Sequence, residues 1–178
     1  MIGLVTFLAV GLQTAPQSQV EDARDVKFDQ LAPVVVIEVS RHPLSALETF
    51  SIYPYFAQAG GRRHLAARRA INMRGGQRVS WAVISECPGA QEVVLELERL
   101  PAPAIDIPGF GRDDEQGPGT DGGSFKLWSR GPTWPTAYGY EVAFESNFGS
   151  PLADWANRFK ATLADCWQPD PPRTMGSS

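Results

Sequence analysis

Aromatic side chains cluster around one predicted hairpin and are the best binding candidates in the sequence. The hairpin comprises Ser124 to Arg130, a loop from Gly131 to Thr136, and Ala137 to Asn147. Exposed aromatic rings can stack on sugars or anchor a partner, whereas rings at the edge of a core only close it. The predicted binding residues are Trp128, Trp134 and Tyr138, and Tyr140 lies beside them in the sequence.

Carboxylates offer a second kind of chemistry in the segment 101–123, which is rich in Pro, Gly and Asp. A connection of this length is either a packed functional loop or a mobile one. Two carboxylates at the right separation can hydrolyse a glycosidic bond, so a hydrolase using residues 106–121 is the alternative function. Calcium would need oxygen ligands at defined positions, and the EF-hand spacing is missing. A solvated acidic loop without metal is the favoured interpretation of Asp113, Asp114, Glu115 and Asp121.

Nucleophilic and metal chemistry find little support in the sequence. A nucleophile needs a base beside it, and the histidines are His42, which precedes a proline, and His64, inside an arginine-rich run. No Gly-x-Ser-x-Gly motif occurs. The two cysteines lie far apart, and neither Cys-x-x-Cys nor His-x-x-x-His is present, so no zinc site is predicted. We therefore assign no catalytic residue, no metal and no cofactor.

The charge pattern argues against nucleic-acid binding. The net charge is −4 and the pI is about 5.2, whereas nucleic-acid binding depends on neutralising phosphates. The arginines between 62 and 78 could contact an anionic envelope component. The favoured interpretation is a solvated face that is balanced by nearby glutamates. The arginines are Arg62, Arg63, Arg68, Arg69, Arg74 and Arg78, and the glutamates are Glu86, Glu92, Glu96 and Glu98.

The N-terminus has the pattern of a secretory signal. Residues 1–19 contain no charged side chain, and Ile2 to Leu12 form an apolar run followed by small and polar residues. This run has the length of a signal peptide and is too short to span a bilayer. We predict a signal peptide over residues 1–19 and a protein that does not span a membrane; a buried N-terminal strand or helix is the alternative.

Hydrophobic patterns predict the elements of the first half. Ala32 to Val39 is a β-branched run typical of a buried strand. Leu44 to Ala59 carries an imperfect apolar stripe and is predicted to be a helix that Pro54 interrupts. In the next run, Arg62 to Arg78, the first part could be a helix and the second part, Arg69 to Met73, an edge strand. The pattern alone does not decide between structures for this run. Arg78 to Ser85 alternates as a strand with three apolar residues on one face, namely Val79, Trp81 and Val83.

Clearer patterns follow in the second half. Ala90 to Leu100, bounded by prolines, favours a helix over a strand. In the hairpin, Phe125 and Leu127 are expected on one face with Tyr140, Val142 and Phe144, and Lys126 and Arg130 on the other with Glu141 and Glu145. Ser150 and Pro151 cap an amphipathic helix, whose apolar face comprises Leu152, Trp155, Ala156, Phe159, Leu163 and Cys166.

These elements predict a single α+β domain over residues 20–168, with a small antiparallel sheet packed by two or three helices. A loose tail is expected over residues 169–178. An exported protein meets an oxidising compartment, and two cysteines allow one intramolecular pairing. Cys87 ends a core strand and Cys166 lies on the apolar face of the last helix, so we predict a disulfide between them.

The order of motifs in the C-terminal half resembles that of small, uncharacterised exported proteins of Gram-negative bacteria. The motifs are Cys87-Pro before a helix, the run from Pro101 to Gly111, Asp121-Gly, the hairpin, and Gly149 to Trp155 followed by Cys166-Trp167. The resemblance implies export and a structural cysteine pair, and it implies no activity. We therefore expect a periplasmic or secreted, non-enzymatic module that binds an envelope partner or a small ligand through its hairpin aromatics.

The uncharged apolar start leads to a prediction about the mature protein. We expect export and cleavage, so that the mature chain begins between about residues 16 and 24. Mass spectrometry of the protein isolated from its native host should show this truncated N-terminus. An intact Met1 in the cytoplasmic fraction would contradict both export and cleavage.

Overall fold

A computed structural model describes residues 21–41, 46–56, 63–73, 76–101, 124–130, 141–147 and 149–174. Strands of these segments form one sheet in which every neighbouring pair is antiparallel. The strands are β1 (Val35–Arg41), β2 (Ala46–Phe56), β3 (Arg63–Met73), β4 (Gly76–Val83), β5 (Ser124–Arg130) and β6 (Glu141–Asn147). Their order across the sheet is β4-β3-β2-β1-β5-β6. The predicted antiparallel sheet is confirmed, but it is larger than expected.

Two helices pack on one side of the sheet, which we call the inner face. They are α1 (Ala90–Glu96), which continues as a 3₁₀ turn over Leu97–Arg99, and α2 (Pro151–Thr162). The hydroxyl of Ser150 accepts a hydrogen bond from the Ala153 backbone N–H at 3.1 Å, as expected of the predicted cap. Within the described part of the chain, neither helix has the length and apolar composition needed to cross a bilayer.

The core lies between the helices and the inner face. The indole of Trp155 is fully buried, and its N–H donates to the Val93 carbonyl at 2.6 Å, which links α2 to α1. The rings of Trp155 and Phe159 stack with centroids 5.3 Å apart. The predicted apolar face of α2 is confirmed, because its residues pack against buried strand residues that include Ile37, Phe50, Ile52, Ala67, Phe125 and Leu127.

The helix predicted over Leu44 to Ala59 is wrong, because residues 46–56 form strand β2. Both faces of β2 are covered, so its sequence lacks the polar and apolar alternation of a half-exposed strand. Pro54 is tolerated because β1 pairs with β2 only as far as Ile52; no strand therefore needs a hydrogen bond from position 54 on that side.

The arginine-rich run that sequence patterns left open is strand β3. It lies between β2 and β4 and is not an edge strand. Adjacent residues of a strand point to opposite faces, so Arg68 and Arg69 enter different environments. Arg68 is 7% exposed and Arg69 is half-buried. The interpretation of this run as a solvated face is therefore wrong at both positions.

The described strands of the hairpin, β5 and β6, and the disulfide agree with prediction. The predicted loop from Gly131 to Thr136 and the predicted strand residues 137–140, which include Tyr140, lie outside the described ranges. Lys126 lies opposite Glu145, and their charged groups are 3.5 Å apart. Cys87 and Cys166 are bonded with Cα atoms 6.0 Å apart. The bond closes a loop of 79 residues, for which the chain-entropy argument gives a stabilisation of up to about 4.5 kcal/mol. It fixes the start of α1 to the chain just beyond α2.

The C-terminal segment returns to the sheet. Gln168 and Trp81 exchange two backbone hydrogen bonds, of 2.7 and 2.8 Å. They lie at the edge of β4 that does not pair with β3. Thr174 is only 6% exposed. The loose tail over residues 169–178 stays a prediction, and its last four residues lie outside the described ranges, as does the predicted signal peptide.

One buried carboxylate fastens α2 to the sheet. Glu48 on β2 is 8% exposed and binds two cations, the Arg69 guanidinium of β3 and the Lys160 ammonium of α2, each at 2.5 Å. The Arg69 guanidinium also lies 5.8 Å from the centroid of the Trp167 ring. Removing one member of such a cluster leaves buried charge uncompensated.

We expect Glu48→Gln to destabilise the protein by about 2–3 kcal/mol, because two charge-assisted hydrogen bonds are lost in a buried site. Urea unfolding of the disulfide-intact protein measures this loss. The matched control is Glu96→Gln, which breaks the exposed pair of Glu96 with Arg158 at 2.9 Å and should cost below about 0.5 kcal/mol. Equal losses in the two variants would contradict a structural role specific to Glu48.

Candidate functional site

Polar side chains gather on the sheet face opposite the helices, which we call the outer face. In the strand register, Glu38 of β1 lies between Thr49 of β2 and Lys126 of β5. Arg68 of β3 lies on the same face, because it is opposite Ser51, two residues along β2 from Thr49. Since the inner face takes up the apolar side chains of these strands, alternation directs these polar groups outward.

An N-terminal segment, residues 21–34, covers part of the outer face. Its anchor is Phe28, which is 8% exposed and packs against Tyr53, Tyr55 and Trp81 with ring centroids 4.8 to 5.9 Å apart. The Tyr53 hydroxyl also donates to the Val26 carbonyl at 3.1 Å. The prediction that Val79, Trp81 and Val83 share one face of a strand is confirmed here, because all three belong to this cluster.

A tight turn directs the chain around this anchor. The backbones of Phe28 and Leu31 exchange two hydrogen bonds of 2.9 Å. The two residues between them, Asp29 and Gln30, have φ values of 50° and 63°. Positive φ at both central positions is typical of a type I′ turn, which glycine, asparagine and aspartate adopt most readily, so the cost falls mainly on Gln30. The contacts of Phe28 hold the segment in place despite this cost.

Beside the anchored segment, the outer face contains a cavity of about 350 Å³. Strands β1 to β5 contribute to its lining, and residues 21–24 form one wall. The polar and aromatic side chains of the lining are Glu21, Asp22, Arg24, Glu38, Thr49, Arg68, Asn72, Gln77, Lys126 and Trp128. This volume lies at the lower end of the range for small-molecule sites in proteins.

Trp128 is the predicted binding residue that falls within the described ranges. It lies on the charged face of the hairpin, opposite Ala143, and its half-buried ring forms part of the cavity wall. The guanidinium of Arg24 lies 5.3 Å from the ring centroid, and Arg24 Nε donates to the Asp22 carboxylate at 3.0 and 2.9 Å. The other two predicted binding residues, Trp134 and Tyr138, lie outside the described residues, so this part of the prediction is not tested.

Arg68 is the residue of the cavity that the sequence analysis missed. Its Nη2 donates to Gln77 Oε1 at 3.4 Å, and Gln77 Nε2 donates to Asn72 Oδ1 at 2.9 Å. Both of these partners also line the cavity. No signal in the sequence distinguishes Arg68 from Arg69, because β3 reads RHLAARRAINM without regular alternation.

The carboxyl group of Glu38 is perturbed by its position. Burial raises the pKa of Glu38 above its ordinary value of 4.5, and the positive charge of Lys126 opposes this shift without cancelling it. Burial disfavours the charged form of an acid. A carboxyl group with a raised pKa beside a cavity is a recognised mark of a functional site, although structural sites show it too.

Two further clefts carry less chemistry. An apolar groove of about 670 Å³ runs between the end of α1 and strands β1, β5 and β6, with Leu97, Leu100 and Phe144 in its lining. A second cleft, of about 340 Å³, contains His64 and Ser85. The groove offers apolar contact and few polar groups to fix the orientation of a ligand.

The histidine cleft contains a pair that the sequence analysis did not foresee. His64 Nδ1 and Ser85 Oγ are 3.1 Å apart, a distance at which a histidine could activate a serine. Within the described segments, no carboxylate or carbonyl binds the second ring nitrogen of His64 to orient it. We interpret the pair as a surface hydrogen bond. Among the described residues no three potential metal ligands cluster, and the carboxylates of residues 106–121 and His42 lie outside those ranges.

The raised pKa of Glu38 predicts how stability depends on pH. The folded protein binds more protons at this group than the unfolded chain between the unfolded value of 4.5 and the higher folded value. Stability therefore falls as the pH rises through that window. We expect Glu38→Gln to raise the melting temperature more at pH 7 than at pH 4, as measured by circular dichroism. Glu98→Gln, on an exposed residue, is the control. A larger gain at pH 4 would contradict the assignment.

Comparison with known proteins finds no matching protein family, no matching curated protein and no matching solved structure. The resemblance to exported Gram-negative proteins therefore stays a prediction. What can be said of function follows from the geometry of the outer-face cavity and from the disulfide.

Proposed function

We propose that this protein is an exported, non-enzymatic module that binds a small ligand in the outer-face cavity, with Trp128 in the cavity wall. The observation that supports this most is the combination of half-buried or buried charged side chains, Glu38 and Arg68, with an open volume of about 350 Å³ above them. Such groups need polar partners, and a ligand in the cavity would provide them.

The contrast within the outer face supports a binding role. The end that holds the N-terminal segment is apolar, with Phe28, Tyr53, Tyr55 and Trp81 in ring contact. An apolar surface of this kind is sufficient to fix a covering segment. Charged residues at the other end add little to that task and carry a desolvation penalty. Their presence beside a cavity is better explained by recognition of a polar ligand.

Export is supported by three features. The first nineteen residues lack charge and include an apolar run, the motif order resembles exported proteins, and the two cysteines form a disulfide. Disulfides persist in oxidising compartments such as the periplasm or the extracellular space. The proposed location is therefore the periplasm or the secreted fraction.

The non-enzymatic part of the proposal rests on the residues near each cavity. His64 and Ser85 form the nearest approach to a nucleophile and base, and the imidazole has no orienting partner in the described part of the chain. A hydrolase acting through the carboxylates of residues 106–121 remains the alternative proposal. Covalent labelling of Ser85 by a fluorophosphonate probe would contradict the non-enzymatic proposal.

Ligand binding in this cavity can be tested by NMR with ¹⁵N-labelled tryptophan side chains. We expect members of a polar fragment library to shift the indole N–H resonance of Trp128, which Trp128→Phe identifies by its loss. The resonance of Trp155, whose ring is fully buried in the inner core, is the internal control and should not move. Small fragments bind weakly because they make few contacts, and we expect dissociation constants of about a millimolar.

The proposal fails if no fragment shifts Trp128 in the folded, disulfide-intact protein. It also fails if fragments act only on the apolar groove, where Phe144 provides a reporter on the opposite face of the sheet. Trp128→Phe keeps an aromatic ring in the cavity wall, so a loss of fold is not expected in that variant.

A further inference from the structure

The outer face contains a buried guanidinium for which the described residues offer no carboxylate at ion-pair distance. Arg68 is 7% exposed, and its neighbours in the register, Ser51 on β2 and Trp81 on β4, are uncharged. Within the described residues no carboxylate lies at ion-pair distance from Arg68. Its hydrogen bond to Gln77 is long, at 3.4 Å, whereas a guanidinium has five N–H donors and is always charged.

The next residue in the chain shows what a buried arginine ordinarily requires. Arg69 faces the inner side of the sheet, where its Nε donates to Glu48 at 2.5 Å and its guanidinium lies near the Trp167 ring. The two arginines of this strand thus differ in their partners. Arg69 forms an ion pair with a carboxylate of the protein, whereas Arg68 lines a cavity whose described carboxylates, Glu21, Asp22 and Glu38, do not lie at ion-pair distance from it.

The other cations around the cavity already have anionic partners. Arg24 binds Asp22 through two nitrogens, and Lys126 lies 3.5 Å from Glu145 and close enough to Glu38 to affect it. Arg68 is therefore the cation with the most unused capacity to bind an anion. A guanidinium recognises carboxylate and phosphate groups through two parallel hydrogen bonds.

We propose that the outer-face cavity recognises a small ligand by an oxyanion, a carboxylate or phosphate group, which is bound by Arg68. This inference rests on the proposed function and specifies its ligand class. Glu38 lies on the other side of Thr49 from Arg68, so a ligand that spans Thr49 presents its oxyanion to Arg68 and hydroxyl or amine donors to Glu38. A uniformly anionic ligand would be repelled at Glu38, which favours molecules with both kinds of group.

The test uses the disulfide-intact mature protein and two probes, sodium acetate and inorganic phosphate, with sodium chloride as reference at equal ionic strength. We expect at least one probe to shift the Trp128 indole resonance saturably, and the comparison of the two distinguishes a carboxylate site from a phosphate site. Arg68→Gln should weaken that probe at least about tenfold, which corresponds to about 1.4 kcal/mol. Arg68→Lys keeps the charge but cannot form two parallel hydrogen bonds to the probe. Its affinity for the probe should therefore lie between those of the wild type and Arg68→Gln.

Arg78→Gln is the matched control, since Arg78 is an exposed arginine of β4 that lies outside the cavity; it should bind the probe as the wild type does. Arg68→Gln removes a buried charge that has no ion-pair partner among the described residues, so we expect this variant to fold. If the variant does not fold, the Arg68 Nε–H resonance of the wild-type protein supplies a second measurement. Binding of the probe should shift that resonance.

The outcomes separate the two proposals. If Arg68→Gln and Arg78→Gln weaken probe binding equally, or if neither weakens it, the anion responds to the overall charge of the protein. Either result overturns the assignment of the site to Arg68. If uncharged fragments shift Trp128 and neither anion does, the binding module stands and the oxyanion class is wrong. If nothing shifts Trp128, both proposals are wrong.

Discussion

The bond between Cys87 and Cys166 joins the start of α1 to the chain just beyond α2, with Cα atoms 6.0 Å apart. Both helices are thereby held against the same side of the sheet. The hydrogen bond from Trp155 to Val93 and the ion pairs of Glu48 then fix their orientation. Covalent, polar and apolar contacts thus all act on the inner face and hold the two helices on the sheet.

The outer face divides into two parts with different physical roles. Around Phe28, aromatic rings exclude water and hold the N-terminal segment on the sheet. Around Arg68 and Glu38, charged groups of both signs border a cavity, and among the described residues no carboxylate lies at ion-pair distance from the Arg68 guanidinium. The first part fixes the segment whose residues 21–24 form a wall of the cavity, and the second part contributes the charged residues of that cavity.

Local patterns in the sequence were sufficient for some elements and not for others. The cap at Ser150, the apolar spacing along α2 and the charge match of Lys126 with Glu145 depend on neighbours in the chain or across one hairpin, so they could be predicted. The strand at residues 46–56 could not, because the segment that covers its outer face is distant in sequence and removes the alternation that marks a strand.

The same reasoning explains which part of the site was found. Trp128 could be proposed from the chemistry of its ring alone. Arg68 could not, because its importance depends on what is missing around it: Arg68 and Arg69 look equivalent in the sequence, and the fold gives a carboxylate to one of them. A position that lacks a partner becomes visible only when all neighbours are in place.

The backbone bridge between Trp81 and Gln168 has a consequence for association between copies of the protein. Strand β4 is at one border of the sheet, and an uncovered border strand is a template on which another chain can continue the sheet. At Trp81 the outward N–H and C=O are both bonded to Gln168, so an incoming strand meets an interrupted row of hydrogen-bonding groups. Since Gln168 follows Cys166 by two residues, the disulfide that holds the helices also keeps this barrier to intermolecular β-pairing in position.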